Sequence, residues 1–117
     1  MILYADDDPG WRELMSVWLA GKGLQSRVCA SGAEALALVE ELKPDCVILD
    51  YDIGDMKGSQ ACAKLKARPE FSHIPVIIMT NLAEEMLKAV KEGGPDHFVI
   101  KSEFPDELFL VLEGMLG

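Results

Sequence analysis

The sequence predicts an α/β fold: one doubly wound, five-stranded parallel sheet with five helices packed on its two faces. Three observations carry that prediction. Five short apolar runs alternate with longer amphipathic ones along the 117 residues. The central run, Cys46-Val47-Ile48-Leu49, is continuously apolar, as a strand covered on both faces requires. Every connection has room for a helical crossover, which parallel strands need and a tight hairpin cannot supply.

Ile2-Leu3-Tyr4-Ala5 is the first predicted strand. Asp8-Pro9 then offers a helix N-cap followed by proline at the first helical position, where a missing N–H costs nothing. Leu14, Met15, Trp18 and Leu19 recur at helical spacing, and Gly21-Lys22-Gly23 ends that helix. Leu24 to Cys29 reads as a second strand, less apolar and suited to an edge. Ser31-Gly32-Ala33-Glu34 has the S-x-x-E form of a capping box, and Pro44 closes the helix it opens.

The third strand runs into Asp50. A loop from Tyr51 to Lys57 contains Gly54, and a third helix with Ala61 and Leu65 comes after Gly58. Pro75 to Met79 is the fourth strand, with the proline at its entrance, where lost ladder bonding is tolerated. Leu82 to Glu92 is a fourth predicted helix, Gly93-Gly94-Pro95 breaks it, and His97 to Ile100 is the fifth strand. Pro105 opens a fifth helix whose apolar positions include Leu108, Leu112 and Met115. No repeat, low-complexity segment or linker intervenes, so residues 1–117 are expected to form one domain, with any output domain lying elsewhere.

Composition excludes several classes of function. Twenty acidic against 11 basic residues give a formal net charge of −9. That sign argues against nucleic acid and against an anionic membrane surface, since both are bound by Lys and Arg. Cys29, Cys46 and Cys62 form no CxxC pair and read as free thiols of a reducing compartment. His73 and His97 lack the clustered neighbours that a zinc site needs. Met1 leads into a short apolar run and three aspartates without a basic n-region, and no stretch reaches the ~18–20 apolar residues of a membrane span. The cytoplasm is the expected location.

Ligands of open α/β sheets bind outside the carboxyl ends of the strands. The residues just past each predicted strand are therefore the informative ones. Asp6, Asp7 and Asp8 come after the first, Asp50 after the third, Thr80 after the fourth and Lys101 after the fifth. Taken singly, Asp8 reads as a cap, Thr80 as a helix N-cap and Lys101 as a solvated cation. Together they place several carboxylates, a hydroxyl and an ammonium on one edge. Two carboxylates ~4 Å apart repel by about 4 kcal/mol at an effective dielectric of 20, so Asp6, Asp7 and Asp50 call for a cation among them. Oxygen-only ligands suit Mg²⁺ or Mn²⁺. A carboxylate beside such an ion can act as a nucleophile towards phosphorus. Lys101 would then offset charge on a phosphoryl oxygen, and Thr80 would donate a hydrogen bond to another.

With those residues in hand, the chain resembles the receiver domains of two-component response regulators over essentially its full length. ILYADDDPGWRELM is similar to the receiver opening of a strand, an acidic pair and an Asp-Pro helix start. VILDYDIGDMKG resembles the phosphoacceptor segment, with eight residues from Asp50 to Gly58. IPVIIMT and HFVIKS resemble the strands that carry the switch hydroxyl and the lysine.

The resemblance implies a flavodoxin-like sheet of strand order 2-1-3-4-5 and a signalling switch rather than an enzyme. It makes Asp50 the phosphoacceptor, supplied by a sensor histidine kinase or a phosphotransfer protein. Asp6 and Asp7 become the acidic pair that holds Mg²⁺ together with Asp50, Asp7 binding it directly and the backbone carbonyl of Asp52 completing the protein's metal contacts. Thr80 becomes the switch hydroxyl, Phe98 the switch aromatic and Lys101 the cationic partner. Phosphorylation would reshape the face of the fourth predicted helix, fifth strand and fifth predicted helix, where receivers homodimerise or engage a downstream output protein.

Several positions depart from the common receiver pattern. Gly54 stands where many receivers have proline and should loosen the loop after Asp50. Asp52 adds a carboxylate two residues past the acceptor, and Asn81 comes after Thr80 where a small residue is usual. Phe98 lacks the hydroxyl of a tyrosine switch. Ser102 replaces a proline that often has a cis bond before it, and a cis bond before a non-proline residue costs about 2.5–4 kcal/mol, so a trans peptide is expected.

Two alternatives compete. Asn81, Phe98 and Ser102 suit a receiver-like interaction module that no longer uses phosphate. Asp50-Tyr51-Asp52 resembles the D-x-D start of haloacid-dehalogenase-type phosphatases, but those carry the nucleophile on their first strand, and here the acidic pair comes first.

Overall fold

The computed structural model describes residues 1–81 and 94–116. The fourth predicted helix, Leu82 to Glu92, lies outside them. The described strands are β1 (Ile2–Ala5), β2 (Ser26–Cys29), β3 (Cys46–Asp50), β4 (Val76–Thr80) and β5 (His97–Ile100). Helices α1 (Pro9–Gly21), α2 (Gly32–Leu42) and α3 (Gly58–Lys66) and a last helix (Asp106–Leu116) connect and flank them. All neighbouring strands are parallel, in the order β2-β1-β3-β4-β5. This is the doubly wound arrangement the sequence predicts.

The period of two in a strand sends alternate side chains to opposite faces. Leu3, Ala5, Val47, Leu49, Val76 and Ile78 join one core with Val39 of α2 and Ala61 and Leu65 of α3. Ile2, Tyr4, Cys46, Ile48, Ile77 and Met79 join the other with Leu19 of α1 and Leu108 and Leu112 of the last helix. Burying a Leu or Ile contributes roughly 1.5–3 kcal/mol. Both faces of β3 are therefore covered up to its carboxyl end.

Element boundaries move by one or two residues, β4 for instance ending at Thr80 rather than Met79. β2 begins at Ser26 rather than Leu24, because the Leu24 N–H turns back to the Leu19 carbonyl (3.0 Å) to close α1. β4 begins at Val76 because Pro75 has no N–H to give. Its carbonyl still accepts from Val47 N–H at 3.0 Å.

The side chains of Asp8 and Ser31 form the predicted N-cap bonds. Asp8 accepts from Gly10 N–H at 2.8 Å, and Ser31 accepts from Glu34 N–H at 3.1 Å. The start of α2 has a second partner absent from the local pattern: the Asp55 carboxylate accepts from Gly32 and Ala33 N–H at 2.7 and 3.0 Å. The three cysteines are free and buried, and burial pushes the Cys46 thiol up to about 12. Among the described residues, no helix is long and apolar enough to cross a membrane.

Candidate functional site

β1 and β3 are neighbours in register, with Ala5 opposite Leu49, so the next residues, Asp6 and Asp50, end side by side. β4 and β5 pair Thr80 with Ile100, which delivers Lys101 to the same edge at the start of a short 3-10 turn. The Lys101 side chain reaches back past the end of β4. Its Nζ lies 2.8 Å from Asp6 Oδ2 and 2.8 Å from Asp50 Oδ1. All three of these residues are buried.

Asp6 is held from several sides. Its Oδ2 also accepts from the Tyr4 hydroxyl at 2.5 Å, and its Oδ1 accepts from Asp8 N–H at 3.0 Å. The Arg12 guanidinium donates to the Asp6 carbonyl at 2.9 Å. Asp7 is exposed, and one oxygen of each of Asp6, Asp7 and Asp50 lies within 4.8 Å of the other two. Three carboxylates thus meet one ammonium and leave a surplus of negative charge.

Burial dominates the titration behaviour of Asp50. Burial pushes the Asp50 carboxyl up to about 6, Lys101 pulls it back and Asp6 adds to the rise. Burial works against the Lys101 charge, but its hydrogen bonds to Asp50 and Asp6 outweigh burial and hold the ammonium above its ordinary range. An oxygen-only donor set with excess charge and one solvent-facing member fits a hard divalent cation of the Mg²⁺ or Mn²⁺ type.

The loop after β3 gives Gly54 a specific conformation. At φ +91° this residue adopts a conformation closed to proline, and a Cβ there would come 3.2 Å from Asp7 Oδ2. Ile53 N–H donates to the Met56 carbonyl at 3.0 Å, and Gly54 N–H donates to Asp52 Oδ1 at 3.1 Å. Lys57 Nζ then donates to Asp52 Oδ2 at 2.9 Å. The Asp52 carboxylate is turned to Lys57 and Gly54, which together hold it below its usual range. Gly58 fits because a Cβ there would lie 2.3 Å from the Asp50 carbonyl oxygen.

Thr80 is buried at the end of β4, while Asn81 is exposed and lines the cleft together with Asp52 and Gly54. Phe98 is half-buried against the core on the α2/α3 side. Lys101–Ser102 is a trans peptide, and a cis bond lies at Phe104–Pro105. Tyr4, Arg12 and Trp11 take part in the site without a mark in the sequence. Trp11 also lines the cleft, and its ring lies 4.6 Å from Lys101 Nζ.

Residues 2–113 match the family model of the response regulator receiver domain. The chain belongs to that family. As a receiver domain it is 35% identical over 108 residues to the DNA-binding response regulator MtrA of Mycolicibacterium smegmatis, covering 92% of this chain and 46% of that protein. It spans about half the length of the curated relatives it matches. The signal receiver domain of a signal transduction histidine kinase from Syntrophus aciditrophicus superposes with a TM-score of 0.90 at 29% identity, over 98% of this chain and 88% of that one. The receiver domain of the sensor histidine kinase PA1611 from Pseudomonas aeruginosa has a magnesium ion coordinated in its active site cleft. It shares the fold at TM-score 0.90 and 21% identity, over 99% of this chain and 96% of that one.

Proposed function

We propose that this receiver domain accepts a phosphoryl group on Asp50 from the phosphohistidine of a sensor histidine kinase or phosphotransfer protein. The observation that carries the reading is Lys101 Nζ, held 2.8 Å from both Asp50 and Asp6 inside a three-carboxylate cluster. An Asp50 oxygen attacks phosphorus, the P–N bond of the donor breaks, and the leaving imidazole nitrogen keeps the electron pair and takes up a proton. The ionised form of Asp50, which the Lys101 ammonium favours, is the attacking group. Lys101 offsets charge on a phosphoryl oxygen. Thr80, at the end of the adjacent strand, donates its hydroxyl to another. Phe98 is the aromatic that responds.

Asp7 and Asp50 would hold Mg²⁺ or Mn²⁺, with Asp6 beside them and the Asp52 carbonyl as a further oxygen. When bound, the ion draws negative charge off the phosphoryl group. The magnesium in the PA1611 cleft supports this assignment. Residues 1–117 would act as one receiver unit in the cytoplasm. The face containing β5 and the last helix would engage a downstream output protein, an output domain or a second copy. The acidic balance speaks against direct nucleic-acid contact by this unit.

Intact mass after incubation with acetyl phosphate and Mg²⁺ tests the reading. We expect a gain of one phosphoryl group, absent in Asp50→Asn and absent with EDTA. A wild-type protein that gains none under any tested divalent ion would support the phosphate-independent module instead.

A further inference from the structure

Trp11 has no part in the chemistry above, yet it touches the Lys101 ammonium on which that chemistry depends. It comes from the first turn of α1, and its ring lies 4.6 Å from Lys101 Nζ. An ammonium has three N–H donors. Two are taken by Asp6 and Asp50, and among the described residues the indole adds a third contact.

The ring is itself fixed. Trp11 meets Phe104 edge-on with centroids 5.4 Å apart, and Phe104 meets Trp18 at 5.2 Å. Phe104 lies just past the turn that begins at Lys101, so the indole is braced by the segment carrying the lysine and by its own helix.

We propose that Trp11 is a positioning residue for Lys101, holding the ammonium over the acceptor site through the face of its indole. The proposal rests on the phosphoacceptor reading of Asp50. A lysine on a flexible four-carbon stem must be ordered before it can stabilise incoming charge, and its carboxylate partners are imperfect anchors for that purpose. Asp50 gives up its charge when one of its oxygens becomes part of an acyl phosphate. The attraction of a π-face for a cation does not depend on that event. Trp11 therefore keeps Lys101 at the site while its partner changes from the carboxylate to a phosphoryl oxygen.

The test compares Trp11→Leu and Trp11→Phe with the wild type. Phosphoryl gain at saturating acetyl phosphate and Mg²⁺ is measured by intact mass, and Mg²⁺ affinity by calorimetry. A cation–π contact of the usual strength corresponds to a ~3–30-fold slower rate in Trp11→Leu. Mg²⁺ affinity should stay within about twofold, and Trp11→Phe should recover most of the rate because a ring remains. A second readout needs neither metal nor phosphate. In a Trp18→Phe background, Trp11 emission should shift when Lys101→Met removes the cation.

A wild-type rate in Trp11→Leu overturns the proposal, as does equal impairment of the Leu and Phe variants or an unmoved emission spectrum. If the wild type itself gains no phosphoryl group, the phosphoacceptor reading fails first, and the role assigned to Trp11 falls with it.

Discussion

Two lysine–aspartate pairs close the segment around Asp50, at nearly the same distance. Lys57 lies 2.9 Å from Asp52, and Lys101 lies 2.8 Å from Asp50. Their surroundings differ. The Lys57 and Asp52 side chains are 46% and 59% exposed, against 4% and 12% for Lys101 and Asp50. An exposed pair contributes ~0–1 kcal/mol, because water screens it and two long side chains must be ordered. Breaking a buried pair costs about 3–5 kcal/mol, because a charge is left without water or partner. Bond length does not rank the two pairs; desolvation does. The inner pair stores the charge imbalance that a divalent ion and a phosphoryl group can exploit. The outer pair ties down the loop and keeps the Asp52 carboxylate occupied.

The largest break in that contrast is Lys101→Met, which leaves Asp6 and Asp50 facing each other in the buried centre. In EDTA the variant should lose about 3–5 kcal/mol of unfolding free energy in urea titrations. A loss below about 1 kcal/mol would mean that the inner pair behaves like the outer one.

A smaller effect appears with pH in the metal-free protein. The Asp50 carboxyl sits near 6 in the folded chain against an ordinary 3.8, so the folded state favours its protonated form. This contribution is fully present below about 3.8 and is lost as pH rises through about 6. At ~1.4 kcal/mol for each pKa unit, and discounted for partial solvent access, the change is on the order of 2 kcal/mol. Denaturation midpoints in EDTA from pH 4 to 7 should fall in the wild type, with a flatter profile in Asp50→Asn. Parallel profiles for the two proteins would assign the effect to another group.

The smallest effect is expected from Lys57→Met, at under about 1 kcal/mol by the same urea titration. A cost above about 2 kcal/mol would erase the distinction between the pairs.

Legibility in the sequence tracks how local each signal is. The strands are short apolar runs, and the residues at their carboxyl ends must share an edge once the sheet is parallel. Asp6, Asp50, Thr80 and Lys101 can therefore be picked out from sequence alone. Asp8 and Ser31 are legible as caps because their partners are two and three residues away.

Contacts made across the chain carry no such mark. Asp55 reaches Gly32 over 23 residues, so nothing in S-x-x-E announces it. Trp11 meets a lysine 90 positions on and reads locally as one more apolar residue of an amphipathic helix. The Asp52–Lys57 clasp across the loop that contains Gly54 is likewise set by the loop's folded path.

The most direct test of the central claim is to locate the phosphoryl group. Asp50 and the exposed Asp52 line one cleft, so a mass gain alone does not choose between them. Reducing the phosphorylated protein with borohydride converts an aspartyl phosphate to homoserine, and peptide sequencing then reads its position. Homoserine at position 50 alone is the predicted result. Homoserine at 52 or 7, with Asp50 intact, would contradict it.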